Sequence, residues 1–366
     1  MSICYGVGGV FRIACRAGDG RSHTPKGTIT VKDFYALTVR GQARRLRQMA
    51  RAALGHYDLD VRRIRLLSNV FNGIFRLDTA DGDKAVLRIN LPGLRRREEI
   101  RSEMMWLDAL RRDMPDIGVP RPLRTRDGEL MVTVAHPGVP EPRHAVIFSW
   151  VPGRDLSHEM SEKNYHGLGA LTARLHDHAG RWAPPDGFWL KTLDEVCPFG
   201  RPDALFDDAH RESFPPGGRE VYREAVDYLD KALRKLYTTR PGPFVLHADL
   251  HQLNIRVCRG KLFALDFDDA MIGYPVQDIG ITFYHMHREA NYAALCEAFR
   301  AGYVTQRPWP EQYPREIETQ IIWRIVHLTN YVIQSGNPEW RATAPGYILE
   351  MAPRLRAFLA NLPLVL

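Results

Sequence analysis

No apolar run in this sequence approaches the roughly 18–20 residues that cross a bilayer, so a helical membrane span is not expected. Cysteine is scarce: five residues (Cys4, Cys15, Cys197, Cys258 and Cys296) lie far apart, with no C-x-x-C pair among them. An odd, scattered set makes neither a disulfide framework nor a cysteine zinc site, and it reads as reduced thiols in a cytoplasmic protein. There is no internal repeat and no low-complexity tract. Acidic residues are rare at the start: the Gly-rich stretch "MSICYGVGGVFRIACRAGDGRSHTPKGT" holds one, Asp19. Its apolar segment, Val7 to Ile13, is too short and too interrupted for a signal peptide. Residues 1–34 are therefore read as a disordered extension or the result of a start codon placed too early, with a transit peptide as the alternative.

What is present is ordinary for a globular chain: 45% hydrophobic and 25% charged residues. At 366 residues the chain exceeds the roughly 250–300 at which a single core stops growing, which predicts two lobes. The net charge of +7 suits an anionic ligand such as a nucleotide. The arginines are dispersed rather than clustered, so neither nucleic acid nor a membrane surface is expected as a partner.

Hydrophobic periodicity divides the chain. "VRGQARRLRQMARAALGHY" puts Ala43, Leu46, Met49, Ala50, Ala53 and Leu54 on one helical face. The period then changes to two. "RIRLLSN" (63–69), "GIFRLDT" (73–79) and "KAVLRIN" (84–90) read as strands, with a hairpin tip at Asp81-Gly82. A helix over "RRREEIRSEMMWLDALRRD" presents Ile100, Met104, Leu107 and Leu110. "GELMVTVA" and "HAVIFSW" add two strands. Pro152 and Gly153 break the pattern, which places a hinge at 149–155 between an N-terminal lobe (35–148) and a C-terminal lobe (156–366). Beyond the hinge helices dominate, interrupted by β segments at 244–249, 254–258 and 261–267.

The chemistry concentrates in "HADLHQLNI" (247–255) and "LDFDDA" (265–270). Three readings compete. His247, Asp249 and His251 alternate, and on a strand they would share one face and could bind a metal, as in a metallohydrolase. No further histidine motif accompanies them. A purely structural polar hairpin would have to satisfy four ionisable groups in an apolar β context, and unpaired buried charge is costly. The third reading is phosphoryl transfer, and it is favoured. This chemistry needs a carboxylate for the acceptor hydroxyl and oxygen ligands for Mg²⁺. H-x-D-x-x-x-x-N supplies Asp249 and Asn254 at the two ends of one loop, and the next hairpin supplies Asp266. In the N-terminal half, Arg88 on the third strand could meet nucleotide phosphates. Glu103, at the margin of the following helix's apolar stripe, could hold that cation.

These residues resemble a family. "HADLHQLNI…LDFDDAMIGYPVQDIG" is similar to the aminoglycoside phosphotransferase/choline kinase superfamily, in the phosphotransferase-enzyme branch with homoserine kinase type II and the stress-response kinases. "AVLRINLPG", "SEMMWLDAL" and "LGALTARLHDHAGRWAPPDGF" extend the match over roughly residues 35–335. The resemblance implies an α+β, two-lobed protein-kinase-like fold, with an antiparallel sheet and helix in the N-terminal lobe, a mainly helical C-terminal lobe, and ATP between them. It implies Asp249 as the catalytic base and Asn254 and Asp266 as Mg²⁺ ligands. His247 and Asp268 would support them, and Asp278 would brace the catalytic loop. Ser68 and Asn69 would lie in the phosphate-covering loop, Arg88 and Glu103 would pair at the phosphates, and Ser149 and Val151 would meet adenine. An Arg stands where protein kinases carry Lys, which keeps GTP open beside ATP.

The expected activity is transfer of the γ-phosphoryl group to a hydroxyl of a small molecule. The rivals are a Ser/Thr protein kinase of the stress-response type and a nucleotide-binding pseudokinase. Eleven residues between Asp266 and Asp278 leave little room for a peptide-docking segment. From Ile281 onward there are seven Glu, eight Arg and no Asp, so a polycationic aminoglycoside is not the expected acceptor. The acidic segment Asp203 to Asp208 is the exception that could supply negative charge.

Overall fold

The structure, a computed structural model, describes residues 33–69, 71–201 and 204–361. Residues 1–32, nearly all of the expected extension, and Asp203 lie outside the described residues. The chain divides into two units. One comprises the described residues up to Arg96 together with Pro122–Trp150; the other comprises Arg97–Arg121 and the residues from Val151 onward.

The first unit opens with α1 (Val39–Leu54), capped by Thr38, whose side chain accepts from the Gly41 amide. It continues as β1 (Val61–Asn69), β2 (Gly73–Thr79), β3 (Lys84–Ile89), β4 (Pro122–Leu123), β5 (Val132–His136) and β6 (Val139–Ser149). The sheet is antiparallel throughout, in the order β1-β2-β3-β6-β4, with β5 also on β6. The β2–β3 hairpin turns where the Asp-Gly pair predicts, with Gly82 at φ 92°. Strand alternation sorts the faces. Ala85, Leu87, Ile89, Ala145 and Ile147 form one core with Leu46, Met49, Ala50 and Ala53 of α1. Arg88 points to the opposite face, where its guanidinium lies 5.3 Å from the Phe148 ring.

The second unit contains α2 (Arg97–Asp113), β7 (Arg154–Asp155), α3 (Glu162–Arg181), α4 (Gly218–Thr239), β8 (Phe244–Leu246), β9 (Ile255–Cys258), β10 (Lys261–Ala264), β11 (Met271–Gly273), α5 (Pro275–Met286), α6 (Tyr292–Val304), α7 (Glu316–Ile333), α8 (Pro338–Arg341) and α9 (Ala344–Leu359). Among the described residues no helix is long and apolar enough to cross a membrane. The cysteines Cys197, Cys258 and Cys296 are free. The helix α2, read from the sequence as part of the N-terminal lobe, groups with this unit. Its fully buried Trp106 meets the Phe267 ring edge-on at 5.4 Å and donates to His178 Nδ1 at 3.3 Å.

Glycine is required where α3 and α6 cross. A Cβ at Gly169 would stand 1.9 Å from the Phe299 carbonyl oxygen, and one at Gly302 would stand 1.8 Å from the His166 carbonyl oxygen. Both neighbours are helix backbone and cannot turn aside. Gly302→Ala is expected to cost about 3 kcal/mol, the upper end of ordinary overpacking. Urea denaturation checks this, and an unchanged midpoint would show that the two helices do not meet there.

Candidate active site

The chain path brings the two polar loops together. Strand β8 leads into residues 247–254, the β9–β10 hairpin turns through Arg259 and Gly260 (φ 51° and 75°), and the chain returns in β11, antiparallel to β8. Two successive left-handed residues make the tight turn that matches the twist of the strands. The loops at 247–254 and 265–270 therefore leave the same pair of short sheets side by side.

Hydrogen bonds then fix one loop to the other. The Leu265 amide donates to the Asn254 carbonyl at 2.8 Å. His247 Nε2 donates to the Leu265 carbonyl at 2.8 Å, and His247 Nδ1 accepts from the Asp249 amide at 3.3 Å. The metal-binding alternation weighed for His247, Asp249 and His251 is thus absent: this segment is a loop, and both His247 nitrogens are committed to backbone. Ala248 takes a left-handed conformation (φ 60°), unusual for a residue with a Cβ. Its amide is held by Asp278 Oδ1 at 2.9 Å, while Asp278 Oδ2 faces His176 Nε2 at 3.0 Å and His176 Nδ1 faces the Tyr303 hydroxyl at 3.0 Å. The Thr282 hydroxyl adds a bond to the Leu250 carbonyl. The catalytic-loop candidate is thereby anchored on α5, and through His176 and Tyr303 on α3 and α6.

Asp249 is buried to 1% exposure, and both carboxylate oxygens are engaged. Oδ2 accepts from Asn254 Nδ2 at 3.2 Å and faces His251 Nε2 at 3.4 Å. Oδ1 accepts from Arg324 Nη2 at 2.5 Å. Burial by itself would raise its pKa, but His251 and the Arg324 guanidinium outweigh it and hold the carboxyl well below its usual range. Asn254 Nδ2 also donates to the Asp249 carbonyl at 2.9 Å, so the atom it turns elsewhere is the amide oxygen. Asp266, partly exposed, is held at φ 60° as the residue before the turn Phe267–Asp269. An amide oxygen and a carboxylate on two tethered loops are the donors that a hard divalent cation takes. Asp268 and Asp269 are buried in that turn.

The residues read as nucleotide-binding are distributed over both units. Ser68 and Asn69 belong to the end of β1, paired with Ile74 and Gly73 of β2. Asn72 in the turn between them accepts from the Leu91 amide at 3.0 Å. Ser149 ends β6 opposite Ala85. Val151 begins the second unit's main segment, and Glu103 is buried on α2.

Two groups near Asp249, Arg324 and His285, were not legible as site residues in the sequence. Arg324 is 75 positions away, His285 Nε2 lies 3.9 Å from Asp249 Oδ1, and His285 stacks on His251 with ring centroids 4.4 Å apart. His327 follows Arg324 on the same helix. A signal did exist: Arg324 is the one charged residue between Glu318 and Glu339, on a helix otherwise apolar enough to be core. Asp249, His251 and His285 could hold a metal by spacing alone, but Arg324 already supplies a cation to that carboxylate.

The buried histidines make stability pH-dependent. Burial lowers the pKa values of His176, His285 and His327 from the ordinary value of 6.5. Below that value the unfolded chain binds protons that the folded chain refuses, so stability is complete above it and falls as pH drops. Each histidine can contribute up to about 1.4 kcal/mol per pH unit. The urea midpoint is expected to fall between about pH 7.5 and pH 5.5, and less steeply in His327→Gln. Equal slopes for the two proteins would remove His327 from the account.

Comparison with known proteins bears on the family and the fold. The profile of the Phosphotransferase enzyme family matches residues 63–314. An amicoumacin kinase of Bacillus subtilis (strain 168) is 24% identical over 241 residues, 65% of this chain and 68% of that protein. A microcompartment-associated aminopropanol kinase superposes with a TM-score of 0.69 at 25% identity, covering 86% of this chain and 97% of that one. An amicoumacin kinase solved in complex with AMP-PNP, Ca²⁺ and Ami superposes with a TM-score of 0.67 at 18% identity, covering 87% and 96%. The α+β architecture, the loop pair around Asp249 and the family match lead to one conclusion: the chain belongs to the phosphotransferase enzyme family.

Proposed function

We propose that the protein is an ATP- and Mg²⁺-dependent O-phosphotransferase that moves the γ-phosphoryl group to a hydroxyl of a small molecule. The observation that carries this is Asp249, a buried, ionised carboxylate hydrogen-bonded to Asn254 on a loop tied by backbone and side-chain bonds to the loop of Asp266. Asp249 orients the acceptor hydroxyl and takes its proton. Asn254 Oδ1 and Asp266 would hold Mg²⁺, which supplies charge neutralisation for the phosphates. His247 keeps the two loops in register, and Asp278 holds Ala248 in its left-handed turn. Asp268 serves as a supporting carboxylate. Arg88, Glu103, Ser68 and Asn69 serve the nucleotide phosphates, and the backbone at Ser149 and Val151 serves the base. ATP is the proposed nucleotide, with GTP as the alternative.

The small-molecule reading is preferred to a protein kinase because the residues between Asp266 and Asp278 are spent on a turn (Phe267–Asp269), strand β11 and the start of α5. A peptide-docking segment has no length left. The acidic segment that might have attracted polycations is neutralised where it is described: Asp207 pairs with Arg201, and Asp208 pairs with Arg211 and Arg219. The acceptor is therefore proposed to be neutral or anionic. The test is ADP release with Mg²⁺-ATP across a panel of small alcohols, with Asp249→Asn as control. Nucleotide binding with no turnover on any member, and no slow hydrolysis, would favour a nucleotide-binding protein without catalysis.

A further inference from the structure

The Arg324–Asp249 contact constrains what the acceptor can be. An incoming hydroxyl has to reach a carboxylate oxygen of Asp249, yet Oδ2 is taken by Asn254 and His251, and Oδ1 by Arg324. Asn254 and His251 belong to the loop itself and cannot leave without undoing it. Arg324 comes from α7, a separate helix, and is the partner that can be exchanged.

Arg324 and its neighbours are also incompletely satisfied. Arg324 is 3% exposed, and its Nε has no hydrogen-bond partner. Neither ring nitrogen of the buried His327 has one, nor has Oε1 of Gln320. Positions 320, 324 and 327 lie on one face of α7 at helical spacing. Buried polar atoms left unpaired are rare and call for an explanation, and a polar ligand supplies one.

The charge of the surroundings selects the ligand. Arg324 and Asp249 both act on His285 and His327, and Lys191 adds a second cation at His327. An ammonium group here would face a guanidinium, while a carboxylate would meet a fork of N–H donors suited to it. Flat rings border the same face. His327 stacks on Trp323 at 5.1 Å with planes 2° apart, Phe199 lies 5.5 Å from His327, and the Trp323 indole is fixed to the Glu195 carbonyl.

We propose that Arg324 recognises the acceptor, and that the acceptor is a short hydroxy acid. Its carboxylate draws the guanidinium from Asp249 Oδ1 as its hydroxyl takes that place. The base is thus released more readily when an acid-bearing acceptor is bound. The inference rests on the phosphotransferase reading and narrows its acceptor class.

The test compares acceptors that differ by one carboxylate: threonine with 1-amino-2-propanol, homoserine with 3-amino-1-propanol, and glycerate with glycerol, each followed by ADP release with Mg²⁺-ATP. The acid is expected to lead in at least one pair by about 10-fold or more in kcat/KM, the scale of a charge-assisted hydrogen bond. Arg324→Met is expected to erase that lead, mainly through KM, by lowering kcat/KM for the acid more than for the alcohol; Arg324→Lys is expected to restore part of it. The inference is overturned if no acid is turned over, if the alcohol leads in every pair, or if Arg324→Met lowers both members alike. The pair comparison needs only the wild-type protein, so a misfolded variant does not block it. Mg²⁺-dependent binding of AMP-PNP, measured on the same sample, separates the two readings. Its loss overturns the phosphotransferase reading, whereas its retention without an acid preference overturns only the role of Arg324.

Discussion

Asp249→Asn is expected to lower turnover by about 10²–10⁴-fold, the usual contribution of a general base, while nucleotide affinity is retained. Asparagine keeps the shape of the side chain, but its single amide oxygen can accept from Arg324 or from Asn254 and not from both, because the two bond different oxygens of Asp249. What it lacks is the anionic oxygen that takes the hydroxyl proton. The substitution has a second consequence, because it leaves the Arg324 guanidinium buried without its counter-charge. Breaking a buried pair by removing one partner costs about 3–5 kcal/mol. The variant should therefore be less stable, and turnover and AMP-PNP binding should be compared well below its unfolding midpoint. Retention of more than about a tenth of the wild-type turnover would remove Asp249 from the role of base.

Asp266→Asn is expected to abolish the Mg²⁺ dependence of nucleotide binding and to weaken affinity for Mg²⁺-ATP by about 10-fold or more, as for loss of an anionic oxygen ligand. The backbone at this position has φ 60°. Asparagine tolerates that conformation as aspartate does, so the substitution isolates the charge from the turn. Asn254→Ala should weaken binding less in its metal dependence, since a neutral amide oxygen is lost. It would also remove two bonds to Asp249 and so should reduce turnover more than affinity. Calorimetry at several Mg²⁺ concentrations decides the question. Unchanged Mg²⁺ dependence in Asp266→Asn would show that the ion is held elsewhere.

Much of this molecule was legible in its sequence because the signals are local. The stripe Ala43, Leu46, Met49, Ala50 and Ala53 has the helical period, and it is the face that α1 buries. Alternation in "KAVLRIN" put Arg88 on the opposite face from Ala85 and Leu87, and Asp81-Gly82 marked the hairpin between β2 and β3. The eight-residue spacing of H-x-D-x-x-x-x-N carried the loop candidate, since a base and an amide ligand at the ends of one loop need no distant chain to be adjacent. Strand β11 went unread, because three residues pairing with β8 carry too little pattern to stand out. The grouping of α2 with the helical unit also went unread. An amphipathic stripe says that a helix buries a face, and says nothing about which neighbour covers it.

The sequence by itself carried the longer helices and strands and the Asp249–Asn254 spacing around which phosphoryl transfer is proposed, because periodicity and short spacing are properties of neighbouring residues; the fold class was implied by the family resemblance. The tertiary structure decided what surrounds Asp249. It turned both nitrogens of His247 onto backbone, which ended the alternation with Asp249 and His251. It seated His285 beside the base and brought Arg324 across 75 residues onto its second oxygen. Those contacts depend on the crossing of α5 and α7, where a Cβ at Gly280 would come within 2.4 Å of the Gln320 Cβ. Close approach of two helices is set by volumes on both of them, and no single stretch of sequence contains both.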